Sequence, residues 1–447
     1  MHISLSDHFN YRKLLRFTFP SIAMMIFTSV YGVVDGLFVS NFVGKTPFAA
    51  INLIWPFLQI LGFGGFMLGT GGSALVSKTM GEGDKDRANR YFSLLILTTV
   101  VLGVAITIPG MFLIEPVAIL LGADEAMLPH CVTYGRIILA AQTVFMLQAA
   151  FQSFLVTAER PTLGLIVTVG AGVTNMVLDF LFIAVFGWGL VGAALATALS
   201  QAVGGIVPLV YFLLPNKSPL RLIRPRLGAG TGAKIIVKAS ANGSSELMTS
   251  VSMSVVSMLY NYQLMKLAGE DGIAASGVMM YVSFVFIAIF IGFAVGSAPI
   301  VGFHYGAGNH GELKSLLRKS LILTAVTGVG MLALALALAA PLSTIFVGYD
   351  QGLYELTCRG FRLYSTSFLL AGFSIFGSSF FTALGNGGVS AAISFLRTLV
   401  FQVAAILVLP LILDIDGIWL ATPVAEVLSL MVTAAFLVGM RKKYRYM

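Results

Sequence analysis

Long apolar runs alternate with short polar breaks along the whole chain. A helix needs about 20 apolar residues to cross a bilayer, and on that scale the runs predict twelve helical spans. They are 15–40, 50–76, 91–114, 132–157, 162–186, 190–214, 236–265, 273–302, 316–341, 357–381, 389–413 and 417–440. No break leaves room for a soluble domain. The polar start, with His2, Asp7 and His8, lacks the short apolar core and small-residue cleavage site of a signal peptide. The fold class expected is an all-α membrane protein.

Composition agrees, with 57% hydrophobic and 10% charged residues and a mean hydropathy of +0.93. So few charges cannot cover a water-facing surface, for which about 25% is usual. The net charge of +8 would point to nucleic acid if it were clustered on a soluble face, but its distribution follows the membrane. One set of faces carries Arg12, Lys13, Arg16, Lys78, Lys85, Arg87, Arg90, Arg160, Lys217, Arg221, Arg224, Arg226, Lys234, Lys238, Lys314, Arg318, Lys319, Arg441, Lys442, Lys443 and Arg445. The other keeps Lys45, Arg136, Lys266, Arg359 and Arg362 among most of the loop acids. The positive-inside rule then puts both termini in the cytoplasm, and the number of spans is even. Cys131 and Cys358 are too few for a disulfide framework and read as small wall residues.

The chain repeats itself. At an offset of 225, Phe48-Ala49-Ala50 faces Ile273-Ala274-Ala275, Gly71 meets Gly296, Gly81 meets Gly306, Gly83 meets Gly308, and Thr157-Ala158 meets Thr382-Ala383. Gly189 and Ala193 meet Gly417 and Ala421 at 228. Each half has six spans, so the halves are parallel repeats about an axis along the membrane normal. The expected organisation is an N-terminal lobe over 1–220 with a cation-coupling site and a C-terminal lobe over 221–447. A basic cytoplasmic linker at about 215–238 joins them, and a central cleft suits alternating access.

Four acids lie inside spans: Asp35, Asp179, Glu246 and Glu426. A carboxylate there is costly, so it faces a cavity or a partner. Asp35 and Asp179 each lie about 8–12 Å below the outer surface, counted at helical rise. Thr197 falls at a similar depth, Asn175 is one turn from Asp179, and Tyr31 is one turn from Asp35. Two nearby carboxylates cannot both ionise cheaply, so such a cluster takes up a proton, or its oxygens hold a hard cation such as sodium. Separate buried polar contacts are the bland alternative. Tyr260 is the repeat counterpart of Asp35, which confines this chemistry to the first half.

Glu246 follows Asn242-Gly243-Ser244-Ser245 and reads either as a contact for a cationic substrate or a proton, or as a structural group among hydroxyls. Arg397 and Glu426 reach nearly the same depth and read as an internal ion pair. Met24, Met25, Met146 and Gln148, with Tyr31, are candidates for an adaptable cleft wall. Pro20, near the start of span one, is a candidate hinge; Pro56, Pro208, Pro299 and Pro423 also invite kinks. His2, His8, His130, His304 and His310 all lie away from mid-depth, which argues against a histidine-built metal site or a membrane-embedded enzyme.

Several stretches resemble the multidrug and toxic compound extrusion (MATE) family, closest to its bacterial DinF/MepA-like branch. They are Pro20-Ser21, Val34-Asp35-Gly36-Leu37-Phe38-Val39, the glycines Gly64, Gly69, Gly71 and Gly72 leading to Met80-Gly81-Glu82-Gly83-Asp84, and Asn175 to Asp179. Gly189-Leu190, Gly192-Ala193-Ala194 and Thr197 follow, and Gly302, His304-Tyr305-Gly306-Ala307-Gly308 repeat the loop in the second half. The resemblance spans nearly the whole chain. It implies an antiporter in the bacterial cytoplasmic membrane that exports amphipathic, often cationic, compounds against protons or sodium. It implies a coupling cluster at Asp35, Asn175, Asp179 and Thr197 with Tyr31 nearby and a bending proline at Pro20. Another branch uses a seventh-span glutamate, which maps onto Glu246, together with a tenth-span aspartate; the aspartate is missing here, where that span holds Arg359 and Arg362 instead. No cofactor, resident metal or nucleic-acid partner is expected, and the working unit is expected to be a monomer among membrane lipids. The alternative within the superfamily is a lipid or oligosaccharide flippase. A major-facilitator transporter is disfavoured because the Gly81–Arg90 loop lacks that family's charge order, and a channel because the halves differ.

Overall fold

The computed structural model describes residues 3–225 and 229–447. His2 and Arg226 lie outside the described residues, as do the side chains of Leu37, Ser40 and Ala229.

The described residues form helices and short connections: α1 (Tyr11–Phe42), α2 (Lys45–Gly81), α3 (Lys85–Leu120), α4 (Leu128–Ala140), α5 (Gln142–Thr157), α6 (Pro161–Asp179), α7 (Gly189–Leu213) and α8 (Ala229–Asn242). The second half continues with α9 (Ser244–Gly306), α10 (His310–Val347), α11 (Gln351–Ser365), α12 (Phe368–Ala383), α13 (Gly387–Phe395), α14 (Phe401–Val408), α15 (Pro410–Gly439) and α16 (Arg441–Tyr444). A π-helical turn follows α6 over Phe180–Val185, and another joins α13 to α14 over Leu396–Val400.

Among the described residues nine helices are long and apolar enough to cross a membrane, eleven crossings result if each bent pair counts as one, and twelve once α9 is divided at its break. α9 is 63 residues, roughly 95 Å at helical rise, too long for one passage through a core of about 30 Å. It breaks at Gly269, whose φ of 61° and ψ of −144° suit a residue without a Cβ. α4 with α5 and α11 with α12 are single crossings bent by 55° and 43°. The bends fall at Ala141 and at Thr366–Ser367, where single i to i−3 hydrogen bonds replace the helical pattern. The helical pattern of α1, α2, α7, α9 and α15 continues through Pro20, Pro56, Pro208, Pro299 and Pro423.

The duplication is visible in the local structure. Asp84 caps α3 by accepting from the Arg87 amide, and Asn309 caps α10 by accepting from the Glu312 amide. The two bent crossings are repeat equivalents, and so are the two crossings that carry π-helical turns. The seam between the lobes is reciprocal as well. A Cβ on Gly81 would lie 2.0 Å from the Phe303 carbonyl oxygen, and one on Gly306 would lie 1.9 Å from that of Lys78. Gly71 sits against Ala239 and Gly243, while its repeat partner Gly296 sits against Thr18. The two lobes are thus related by a pseudo-two-fold axis through the crossing of α2 with α9. Small residues let the backbones touch there, as small-residue faces do in lipid.

Both termini lie on one face, called here the terminal face. The Phe9 amide bonds Glu312 at 2.9 Å, and Tyr446 packs on Phe380 with ring centroids 5.2 Å apart. The close approaches between lobes sit in the half of the molecule near that face. They run from Gly81–Phe303 through Asn242, which donates to Gly71 and Thr382, to Gly292 on Ser21 and Ile22. Farther up, added Cβ atoms at Gly32 and Gly36 of α1 and Gly277 of α9 would meet nothing within 4 Å. The lobes therefore close against each other at the terminal face and part towards the opposite face.

Candidate ion-coupling site

The candidate site is built where α1 runs beside α6. Gly172 on α6 lets the helices approach, because an added Cβ would lie 2.4 Å from the Phe27 ring and 3.1 Å from the Tyr31 ring. Phe27 and Tyr31 pack together at 6.0 Å. One turn beyond Tyr31 on α1 is Asp35, and beyond Gly172 on α6 come Asn175 and Asp179, so helical rise brings the polar groups to one level. Asn175 Nδ2 donates to Asp35 Oδ1 at 3.5 Å. The Asp35 and Asp179 carboxyls are within side-chain hydrogen-bonding reach of each other.

Asp179 is fully buried, whereas Asp35 is part-exposed. Both Asp179 oxygens and Asn175 Oδ1 lack a hydrogen-bond donor among the described residues. Neither carboxyl is in an ion pair there. Two facing carboxyls are all acceptors until one carries a proton, so the pair calls for a proton or a small hard cation between its oxygens. Asp179 closes α6 and the π-helical turn opens at the next residue, a distortion common at functional positions.

A further group belongs here that sequence reasoning passed over. Tyr134 on α4 is 4% exposed, stands 6.5 Å from the Trp55 ring, and is close enough to feel the charge of both Asp35 and Asp179. Its signal in the sequence was depth alone, six residues into a span that runs towards the terminal face. Thr197, on α7, is part-buried; its carbonyl accepts from Ser200 Oγ at 2.8 Å, and its hydroxyl makes no hydrogen bond to the cluster among the described residues.

The cleft candidates scatter. Met24 and Met146 are buried at 1% and 0%, against Gly164 and Gly64, and Gln148 is pressed on Gly204. Met25 and Glu246 are part-exposed. Glu246 lies in the first turn of α9, with its amide on the Gly243 carbonyl, and its carboxyl has no partner among the described residues. Pro20 is buried in an unbroken α1. In the second lobe, Arg397 Nε and Nη2 donate to both Glu426 oxygens at 2.7–3.0 Å, with the side chains 16% and 3% exposed.

The comparisons with known proteins meet this geometry. The MatE family model matches twice, over residues 20–181 and 247–407, which together make up most of the chain. The chain belongs to the MatE family. The double match also bears out the internal duplication read from the sequence. Across the full MatE chain, the multidrug export protein MepA of Staphylococcus saprophyticus is 22% identical, covering 96% of this chain and 92% of that one. MepA of Staphylococcus aureus (strain MRSA252) is 21% identical, covering 96% and 93%. Among solved structures, the outward-facing conformation of a multidrug resistance MATE family transporter of the MOP superfamily superposes with a TM-score of 0.91 at 22% identity, covering 98% of each chain. A MOP superfamily transporter from Pyrococcus furiosus, described as having a binding pocket of reverse polarity, gives 0.88 at 23%, covering 98% and 97%. The all-helical, two-lobe MatE architecture is thereby shown.

Proposed function

We propose that this MatE protein is a secondary active antiporter that exports amphipathic, cationic organic compounds in exchange for protons or sodium ions. The reading is supported most by the Asp35–Asp179 pair, two carboxyls on membrane-spanning helices, the second fully buried, with Asn175 beside them and no basic partner among the described residues. In this mechanism the pair, open towards the outside, takes up a proton or sodium ion. Loss of charge on Asp35 then lets α1 rearrange about Pro20, and cargo leaves outward. The return of the lobes exposes the cleft to the cytoplasm, and exchange follows from the different affinities of the two states. The first lobe, over 1–220, carries the coupling, the second, over 221–447, is its partner, and the basic stretch at about 215–238 joins them on the cytoplasmic side. Both termini lie in the cytoplasm of a bacterial cell, and one chain is the working unit. The relatives' name as multidrug exporters supports transport.

The test is efflux of a cationic dye from proteoliposomes under an imposed pH gradient or an imposed sodium gradient, with wild type beside Asp35→Asn. The expected result is gradient-driven efflux that the variant loses. Efflux driven by sodium alone identifies the ion. Gradient-independent movement of lipid in place of dye efflux would replace the reading with a flippase.

A further inference from the structure

Two open crevices stand out on the surface, and their charges differ. The one at the face opposite the termini, about 510 Å³, is lined by Arg359 and Arg362 but also by Glu355, and Arg359 is paired with Asp416. It is balanced within itself. The one at the terminal face, about 490 Å³, is lined by Tyr11 of α1 and by Gly311, Lys314, Ser315, Arg318 and Lys319 of α10, with no acid.

This second crevice lies on the lobe seam. Lys319 is tied to the carbonyl of Phe9, which fixes the segment before α1 as one wall. The nearest acid of α10, Glu312, is 7% exposed and already engaged by the His8 ring and the Phe9 amide. Lys314 and Arg318 are exposed and have no ion-pair partner among the described residues. Arg12 and Arg16 stand exposed beside Tyr11 in the same condition.

What lies below the cations decides the kind of ligand. On α1 the face of Tyr11 continues through Leu15 and Phe19, 42% and 64% exposed. On α10 the face of Arg318 continues through Ile322, Val326 and Val329, 41%, 65% and 58% exposed. A basic collar thus stands above two exposed apolar stripes, one on α1 and one on α10, that descend from the membrane surface. Basic pockets between transmembrane helices at such a surface recognise phosphate headgroups.

We propose that this crevice binds an anionic phospholipid, its phosphate held by Lys314 and Arg318 and its chains laid along the two stripes. A lipid seated there touches both lobes where they are closed, so it favours the closed terminal face over any state in which α1 and α10 separate.

The test is native mass spectrometry of the full chain released from detergent containing phosphatidylglycerol and phosphatidylcholine in equal amounts. Wild type is expected to retain one phosphatidylglycerol, and K314Q/R318Q to hold it about thirtyfold more weakly, from two interfacial charges removed. K442Q/K443Q, which removes two exposed charges elsewhere on the same face, is expected to behave as wild type. Ser315→Trp, which fills the crevice without altering charge, is expected to lose the lipid too, and it keeps the test open if the double variant folds poorly. Equal retention by K314Q/R318Q, or equal loss in both charge pairs, would overturn the proposal. So would displacement of the lipid by millimolar inorganic phosphate, which would mark a free-phosphate site.

Discussion

The sharpest consequence of the reciprocal seam concerns Gly81. An alanine there would put its Cβ 2.0 Å from the Phe303 carbonyl oxygen. Ordinary C···O contact is about 3.3 Å, so α2 and α9 must part by roughly 1.3 Å or the turn after α9 must distort. Overpacking of this kind costs about 1–3 kcal/mol. The cost falls only on the state in which the terminal face is closed, because once the lobes separate the Phe303 carbonyl is gone. The gain in helix propensity on replacing glycine, about 1 kcal/mol, is the same in both states and cancels. Gly81→Ala should therefore move the conformational balance roughly five- to 150-fold towards separation at the terminal face. Nitroxides at the exposed positions Asp86 and Lys442 would read this by pulsed dipolar spectroscopy as a new, longer distance population. Gly330→Ala is the matched control, since its added Cβ meets nothing within 4 Å. If Gly81→Ala gave the wild-type distance distribution, the seam would be soft there and the reasoning from backbone contact would be wrong.

Other expectations follow from the same geometry. Asp179→Asn keeps the side-chain shape while removing a buried carboxyl with no donor, so it should unfold at an equal or higher temperature yet lose gradient-driven efflux; lowered stability would mean the carboxyl is structural. Arg397→Met should cost about 3–5 kcal/mol because Glu426 is left buried and unpaired, and Arg397→Met with Glu426→Leu should recover most of that in thermal unfolding; a double variant as unstable as the single one would refute the pairing argument. Glu312→Ala strands the buried Phe9 amide and releases His8, which should cost about 1–3 kcal/mol locally and expose residues 3–10 to limited proteolysis; an unchanged cleavage rate would mean that the packing of Leu5 and Phe9 and the bonds to Lys319 and Glu159 hold the segment without Glu312.

How much of this the sequence carried follows from what a helix makes regular. Depth is regular at about 1.5 Å per residue. Counting from span ends placed Asp35, Asn175, Asp179 and Tyr31 on one level, and the structure brings these four together. The same count was available for Tyr134, but a tyrosine near a span end also reads as an interfacial anchor, and nothing local separates the two. Direction around the helix is less regular. Met24, Met146 and Gln148 were chosen for chemistry and depth, yet each is turned into packing by a glycine on a neighbouring helix: Gly164, Gly64 and Gly204. The breaks were hardest to place. Prolines drew attention, but the helical pattern continues through each of them, and the breaks within crossings fall at Ala141 and Thr366–Ser367, where no proline stands.

The glycine spacings were legible as a repeat, while their meaning as a reciprocal seat needed coordinates. Gly81 and Gly306 are equivalent in sequence and seat reciprocally across α2 and α9, and the equivalent Gly71 and Gly296 seat the matching elements of the other lobe, Ala239 and Gly243 for one and Thr18 of α1 for the other. The packing that joins the lobes is therefore symmetric, but the polar chemistry inside them is not. The first lobe holds two facing carboxyls with no cation, whereas the second holds Arg397 locked to Glu426 and a single separate carboxyl, Glu246, at the start of α9. A site that is already neutral has little to gain from a proton or sodium ion, whereas a pair of facing carboxyls has much to gain. Under the proposed exchange, ion binding at the facing pair acts on α1 and α6, against a second lobe whose Arg397–Glu426 pair stays neutral. The symmetric seam lets the two lobes rock, and the asymmetric charge decides which of them is driven.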